Sequence, residues 1–202
     1  MLTSILYHRV LEFWFGGHDL DKEIVSNMSE LWWRKNDDTD QQVRDRFNHM
    51  YEDLIHGDLD SWKTQPASRL AMIILADQFP RNMFRGTARA FASDPLALSL
   101  CQEGIEQGMD RKLRWPQRVF FYMPMEHAES LDIQELSIKQ FKNLAADVPG
   151  DEQDMVYGYI DFAIRHWEII KRFGRFPHRN KILGRVSTEE ELEFLRQPGS
   201  SF

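Results

Sequence analysis

Along 202 residues, apolar side chains keep returning at intervals of three and four, and no segment alternates cleanly as a half-buried strand must. The clearest stripe is Val43, Phe47, Tyr51, Leu54 and Ile55. It ends at Gly57, the residue type that most readily takes the left-handed geometry of a helix stop. This spacing confines the chain to an all-α fold. Helices are predicted over 3–15 and 20–34, and over a third segment capped by Asp37 or Thr39 and closed by Gly57. A fourth opens at Pro66, runs to Phe79 and stops before Pro80. A fifth has Asp94 as cap and Pro95 at its first position, and ends near Gly108. Further helices are expected over 116–123, stopping at Pro124, over roughly 127–147, and over 151–173, closed by Gly174. In "STEEELEFL" Ser187 and Thr188 each have a glutamate three residues on, which is a capping box; the chain then frays through "QPGSSF". The result is about eight or nine helices joined by short turns. No linker divides them, so a single domain over 1–202 is expected. A superhelical stack of helix pairs is compatible with this, but the tetratricopeptide period shows no signature spacing.

Composition narrows the function classes. Hydrophobic content of 42% with 28% charged is ordinary for a globular chain. The net charge of -7 argues against nucleic-acid binding, which needs a dominant basic field. The longest apolar run, "LAMIILA" (70–76), is far too short for a bilayer, so no membrane partner is expected. His8, Arg9 and Glu12 interrupt the N-terminal stretch where a signal peptide would be apolar. Cys101, the single cysteine, sits among leucines and reads as a buried hydrophobe in a reducing, cytoplasmic setting.

Against that acidic background, positive charge is concentrated in "RFGRFPHRNKILGR" (172–185). This stretch contains a corner that the chain makes twice, in "DQFPRNMFRG" (77–86) and "RFPHRNKILGR" (175–185): Phe-Pro, then Arg-Asn. Proline stops a helix, Phe pins the corner and Asn bonds the backbone groups a turn leaves free, so the plain reading is structural. Asp77 is harder to place. It follows Leu70, Ile73 and Ile74 at helical spacing, so it falls on an apolar face and near a helix C-terminus, and it needs a cation. Arg81 and Arg85 are near candidates; Arg175 and Arg179 are distant ones. In 151–173, Asp161, Arg165, Glu168 and Arg172 form a solvent stripe with ordinary surface pairs, while His166 lies with Phe162, Ile169, Ile170 and Phe173 on the buried face. In "MPMEHAES" (123–130), Glu126 and Glu129 precede or open a helix, where its dipole favours them, and His127 stands between them as a candidate base. The scattered histidines lack zinc-helix spacing. A nucleophile elbow, a phosphate loop and a dinucleotide fingerprint are all missing, so neither metal nor cofactor is expected. The run Glu189, Glu190, Glu191 and Glu193 follows the basic corner and can neutralise part of it.

These stretches, together with "VLEFWFG" at the start, resemble the bacterial DUF924 family over nearly the whole chain. The resemblance implies an all-helical, tetratricopeptide-like fold and no known activity. Its motif positions here are Asp77, Gln78, Arg81, Asn82 and Arg85; His127 and Glu129; and His166, Arg175, His178, Arg179 and Asn180. Ala128 departs from the serine usual in the family. Three functional readings stand. A binding or scaffold module would use Asp77, Arg81, Asn82, Arg85, Arg175, Arg179 and Asn180 to hold a small anion or a carboxylate-bearing peptide end, because the arginine fork bonds two oxygens at once. An enzyme would use His127 or His166 as acid or base, oriented by Glu129 or Asp77, with the arginines as an electrostatic clamp. A purely structural network would saturate every charge internally. Trp32 and Trp33, if exposed, would support a homodimer.

Overall fold

The computed structural model describes residues 2–200, with side chains from residue 6 onward; the expected fraying of the C-terminus extends to residues outside these. Among the described residues there are nine α-helices, four short 3-10 turns and no strand. The helices are α1 (Leu2–Phe15), α2 (Asp21–Trp33), α3 (Asp37–His56), α4 (Pro66–Met83), α5 (Asp94–Glu106), α6 (Trp115–Glu126), α7 (Leu131–Asp147), α8 (Gln153–Phe173) and α9 (Glu189–Leu195). Among the described residues no helix is long and apolar enough to cross a membrane. Successive helices pack on each other from α3 to α8, and α4 also touches α1 and α6, which makes it the hub.

Every residue of α4 from Ser68 to Pro80 is buried. A helix surrounded on all sides has no solvent face, so its apolar residues do not need a stripe. Asp77 is therefore enclosed because the whole helix is, and not because it shares a face with Leu70 and Ile74. Aromatic rings lock the hub to its neighbours: Trp14 meets Phe79 at 5.6 Å and Phe120 at 5.5 Å edge to face, and Phe47 lies tilted 4.7 Å from Phe79. At Gly104 an added Cβ would strike the Phe121 ring and the Arg69 side chain, so α5 reaches α4 and α6 only because this position is glycine.

Several boundaries differ from expectation. α4 does not stop before Pro80 but runs on to Met83. Proline at 80 removes the N–H that would bond the Ala76 carbonyl. The Ser93 hydroxyl donates to that carbonyl at 2.6 Å instead, so the buried acceptor is not stranded. Arg44 then caps the far end, donating to the Met83 carbonyl at 2.8 Å. α6 likewise passes through Pro124 and ends two residues later. His127 is its C-cap, so α7 begins at Leu131 and not near 127. The cap of α3 is Asn36, whose Oδ1 accepts from the backbone of Asp38 and Thr39. Gly57 and Gly174 close their helices in the left-handed region, as expected. Thr188 and Glu191 form the capping box of α9. A small separate core of Ile169, Ile170 and Phe176 lies beneath α9.

Candidate functional site

The C-terminal ends of α4 and α6 lie side by side, and the start of α5 and the 3-10 turn Pro177–Arg179 close over them. Asp77, fully buried on α4, accepts from His127 Nδ1 at 2.6 Å and from Gln78. The Arg81 guanidinium lies 3.3 Å from the same carboxylate. Burial would raise the Asp77 carboxyl, but the Arg81 charge, the His127 contact and the Gln78 hydrogen bond outweigh it and hold it well below the carboxylate range. With Asp77 ionised, His127 carries its proton on Nδ1 and donates it to Oδ1. Nε2 is then left as the basic nitrogen, with no hydrogen-bond partner among the described residues. Burial, followed by the Arg81 charge, lowers His127 below the usual imidazole value, so the ring is neutral near pH 7. Gln134, on α7 and fully buried, donates to the Glu126 and Ala128 carbonyls and fixes the backbone on either side of His127.

Asp94 opens α5 and takes a two-pronged bond from Arg81 at 2.9 and 3.1 Å. It also accepts from Arg179 Nη1 at 3.1 Å. Two guanidinium groups thus share one carboxylate. Arg179 is clamped between the rings of Phe91 and Phe176, each 4.6 Å from its central carbon, which accounts for a buried Nε with no hydrogen bond. Its Nη2 donates to no described residue. Burial and the neighbouring Arg81 charge lower Arg179 to about 10.

Arg81, His127 and Arg179 line one side of an open cavity of about 640 Å³. Glu126 joins them. Its carboxyl is 3% exposed and its nearest ring nitrogen, His166 Nδ1, lies 3.9 Å away and is 2.8 Å from the Phe162 carbonyl. Burial, then the Asp77 charge, raise Glu126 well above the ordinary carboxyl value. It sits at the C-terminus of α6, where the dipole opposes a negative charge, so the expectation that a helix start would favour it is corrected. His166 and His178 also line the cavity, and burial foremost lowers them to about 3 and about 4. Trp14 also lines the cavity, and its indole Nε1 is buried without a hydrogen-bond partner.

The predicted residues thus divide. Asp77, Arg81, His127, His166 and Arg179 come together. Asn82 and Arg85 reach the cavity edge, but both are bound to Asp40 of α3, Arg85 by two bonds at 2.6 and 2.8 Å. Arg175, Asn180 and Glu129 lie outside the lining in a separate network. Arg175 grips Glu191 at 2.7 and 2.8 Å, Asn180 donates to Glu191, and Glu129 binds Arg185 and the Phe176 N–H. Glu129 therefore orients no histidine. Arg172 pairs with Glu190 rather than with Glu168. The acidic run of α9 thus covers the basic corner, as its proximity in sequence suggested. Asp94, Glu126 and Trp14 belong to the site although nothing in their local patterns marked them: Asp94 looked like a cap, Glu126 like a helix-start acid, and Trp14 like core. Among the described residues no group of three or more His, Cys, Asp or Glu is arranged to hold a metal ion.

No curated protein is similar to this chain. Among solved structures, a protein of unknown function from Agrobacterium tumefaciens, ATU0120, superposes with a TM-score of 0.80 at 36% identity, covering 96% of this chain and 98% of its own. The model of the family described as "Bacterial protein of unknown function (DUF924)" matches residues 10–199, which takes in every segment that meets at the cavity, and the chain belongs to that family.

Proposed function

We propose that the cavity binds a small anionic ligand, with Arg179 as its anchor and the charge of Arg81, already bonded to Asp94, beside it. The observation that carries this reading is the state of Arg179. Its central carbon lies 4.6 Å from each of two rings and it has one arm on Asp94, a carboxylate already gripped twice by Arg81; the other arm is unspent beside the cavity. A pre-positioned fork with unused donors suits a carboxylate or phosphate oxygen. By contrast Arg85 and Arg175 each bind a carboxylate through two bonds, which favours a structural role for them. The test is thermal denaturation and calorimetry with acetate, succinate and inorganic phosphate. A ligand at about 100 times its Kd adds roughly 2.7 kcal/mol to stability. Arg179→Lys, which keeps a cation for Asp94 but loses the fork, should weaken binding at least tenfold; equal binding by the variant would remove Arg179 from the site.

The Asp77–His127 pair favours a second reading, in which the bound molecule is a substrate. A buried carboxylate that fixes the histidine tautomer and leaves Nε2 basic is the arrangement of a general base, and Glu126, whose carboxyl is raised by burial, is the candidate proton donor on the same lining. If turnover is found, His127→Gln should lower it by roughly 10²–10⁴ while leaving anion binding intact.

A further inference from the structure

The anion site occupies one side of a space far larger than a small anion. About 640 Å³ falls within the range of pockets that enclose whole organic molecules. α2 and α8 contribute the apolar lining residues Trp33, Met155, Tyr159 and Phe162, and Arg34 and Lys35 follow just past the end of α2. Trp33 is 48% exposed and Met155 39%, two large apolar side chains with wet surface at one opening.

Gly158 lies among them inside α8, three residues after Met155 and four before Phe162, on the same helical face. A glycine inside a helix costs roughly 0.5–1 kcal/mol relative to alanine. Neither usual reason for glycine applies here. Its φ is not positive, and an added Cβ would meet nothing within 4 Å. Gly104 shows the contrast: there a Cβ would collide with Phe121. What Gly158 leaves is open space at the cavity lining.

We infer that the ligand is an amphipathic monocarboxylate, with its head on Arg179 and Arg81 and a hydrocarbon chain or ring lying along the α2–α8 wall past Gly158. This rests on the anion reading above and adds the class of the ligand. A single negative charge suits the head site, because both arginines are already partly neutralised. Arg81 is shared with Asp77 and Asp94, and a dianion would face both carboxylates. An apolar body accounts for the wall, since burying it releases water from the ligand and from Trp33 and Met155 together.

The experiment is calorimetry of the full chain with acetate, hexanoate, octanoate and decanoate, each below its micelle concentration. Affinity should tighten about fourfold for each methylene that is buried. Gly158→Leu, which introduces a side chain into the opening and improves helix propensity, should flatten that series while acetate binding and the melting temperature stay equal or rise. Arg179→Lys should weaken every member by a similar factor. Affinity independent of chain length but lost in Arg179→Lys overturns this inference and leaves the anion site standing. A chain-length series unchanged by Gly158→Leu also overturns it, because the tail then lies elsewhere. A series unaffected by Arg179→Lys, or no binding of any member to the unsubstituted protein, removes the anion site as well.

Discussion

Glu126 and His127 are neighbours in the chain with opposite acid–base character, and their surroundings explain why. Burial and Arg81 disfavour the His127 cation and lower its value, and burial and Asp77 disfavour the Glu126 anion and raise its carboxyl. Each makes a prediction. In nitrogen-resolved NMR, His127 should appear as the Nδ1–H tautomer at pH 7, and Asp77→Asn should perturb that assignment; a free mixture of tautomers would contradict the hydrogen bond to Asp77. For Glu126 the folded-state value lies above the ordinary 4.5, so its contribution to stability is full below that value and is lost as pH rises. Glu126→Gln should therefore match the unsubstituted protein near pH 4.5 and exceed it increasingly towards pH 8 in urea unfolding. His166 and His178 act on the acid side. Their folded values, about 3 and about 4, lie below the ordinary 6.5. The stability tied to their neutral forms is complete above pH 6.5 and falls as pH drops from there towards 4. In the Glu126→Gln variant, which removes the opposing carboxyl, a stability curve flat between pH 7 and 4.5 would contradict this.

At the level of elements, α4 was expected to end where it does not. "DQFPRN" signals a stop, because the proline takes away one backbone donor. The helix continues because Ser93, seventeen residues on, supplies a replacement donor to Ala76. Ser93→Ala should cost about 1–3 kcal/mol in chemical denaturation, the penalty for a buried carbonyl with no partner. In a Pro80→Ala background the restored N–H can take that carbonyl, so the same serine change should cost well under half as much. Equal costs in both backgrounds would mean that the Ser93 hydroxyl does not stand in for the missing N–H. The consequence for the site is direct: continuation through Pro80 places Arg81 one turn beyond Asp77 on the same helix, where it can touch Asp77 and reach Asp94.

For the whole molecule, Asp94 is the point where distant segments are tied: Arg81 thirteen residues before it, Arg179 eighty-five after it. Removing an acid that two buried cations share is worse than removing either cation. Asp94→Ala should lose roughly 3–5 kcal/mol. Arg179→Met should lose less, because Asp94 keeps both bonds from Arg81. Urea unfolding of the two variants checks the order, and a reversed order would mean that Arg179 is the main partner of Asp94. The C-terminal segment is held in a different way, by Arg175–Glu191, Arg185–Glu129 and a small core.

Much of this was legible along the chain. The three- and four-residue recurrence of apolar side chains is a local property, and it specified an all-α chain and most of its helices. Gly57 and Gly174 closed helices as their backbone freedom predicts, and the acids of α9 met the basic corner because the two are close in sequence. The partners of Asp77 were narrowed to a few arginines, since an isolated buried charge is too costly to leave. Which of them it chose, the rescue of α4 by Ser93, the sharing of Asp94 and the raised carboxyl of Glu126 were settled only when remote segments came within bonding distance. Coulomb energy and desolvation depend on separations in space, and a linear pattern carries no record of those.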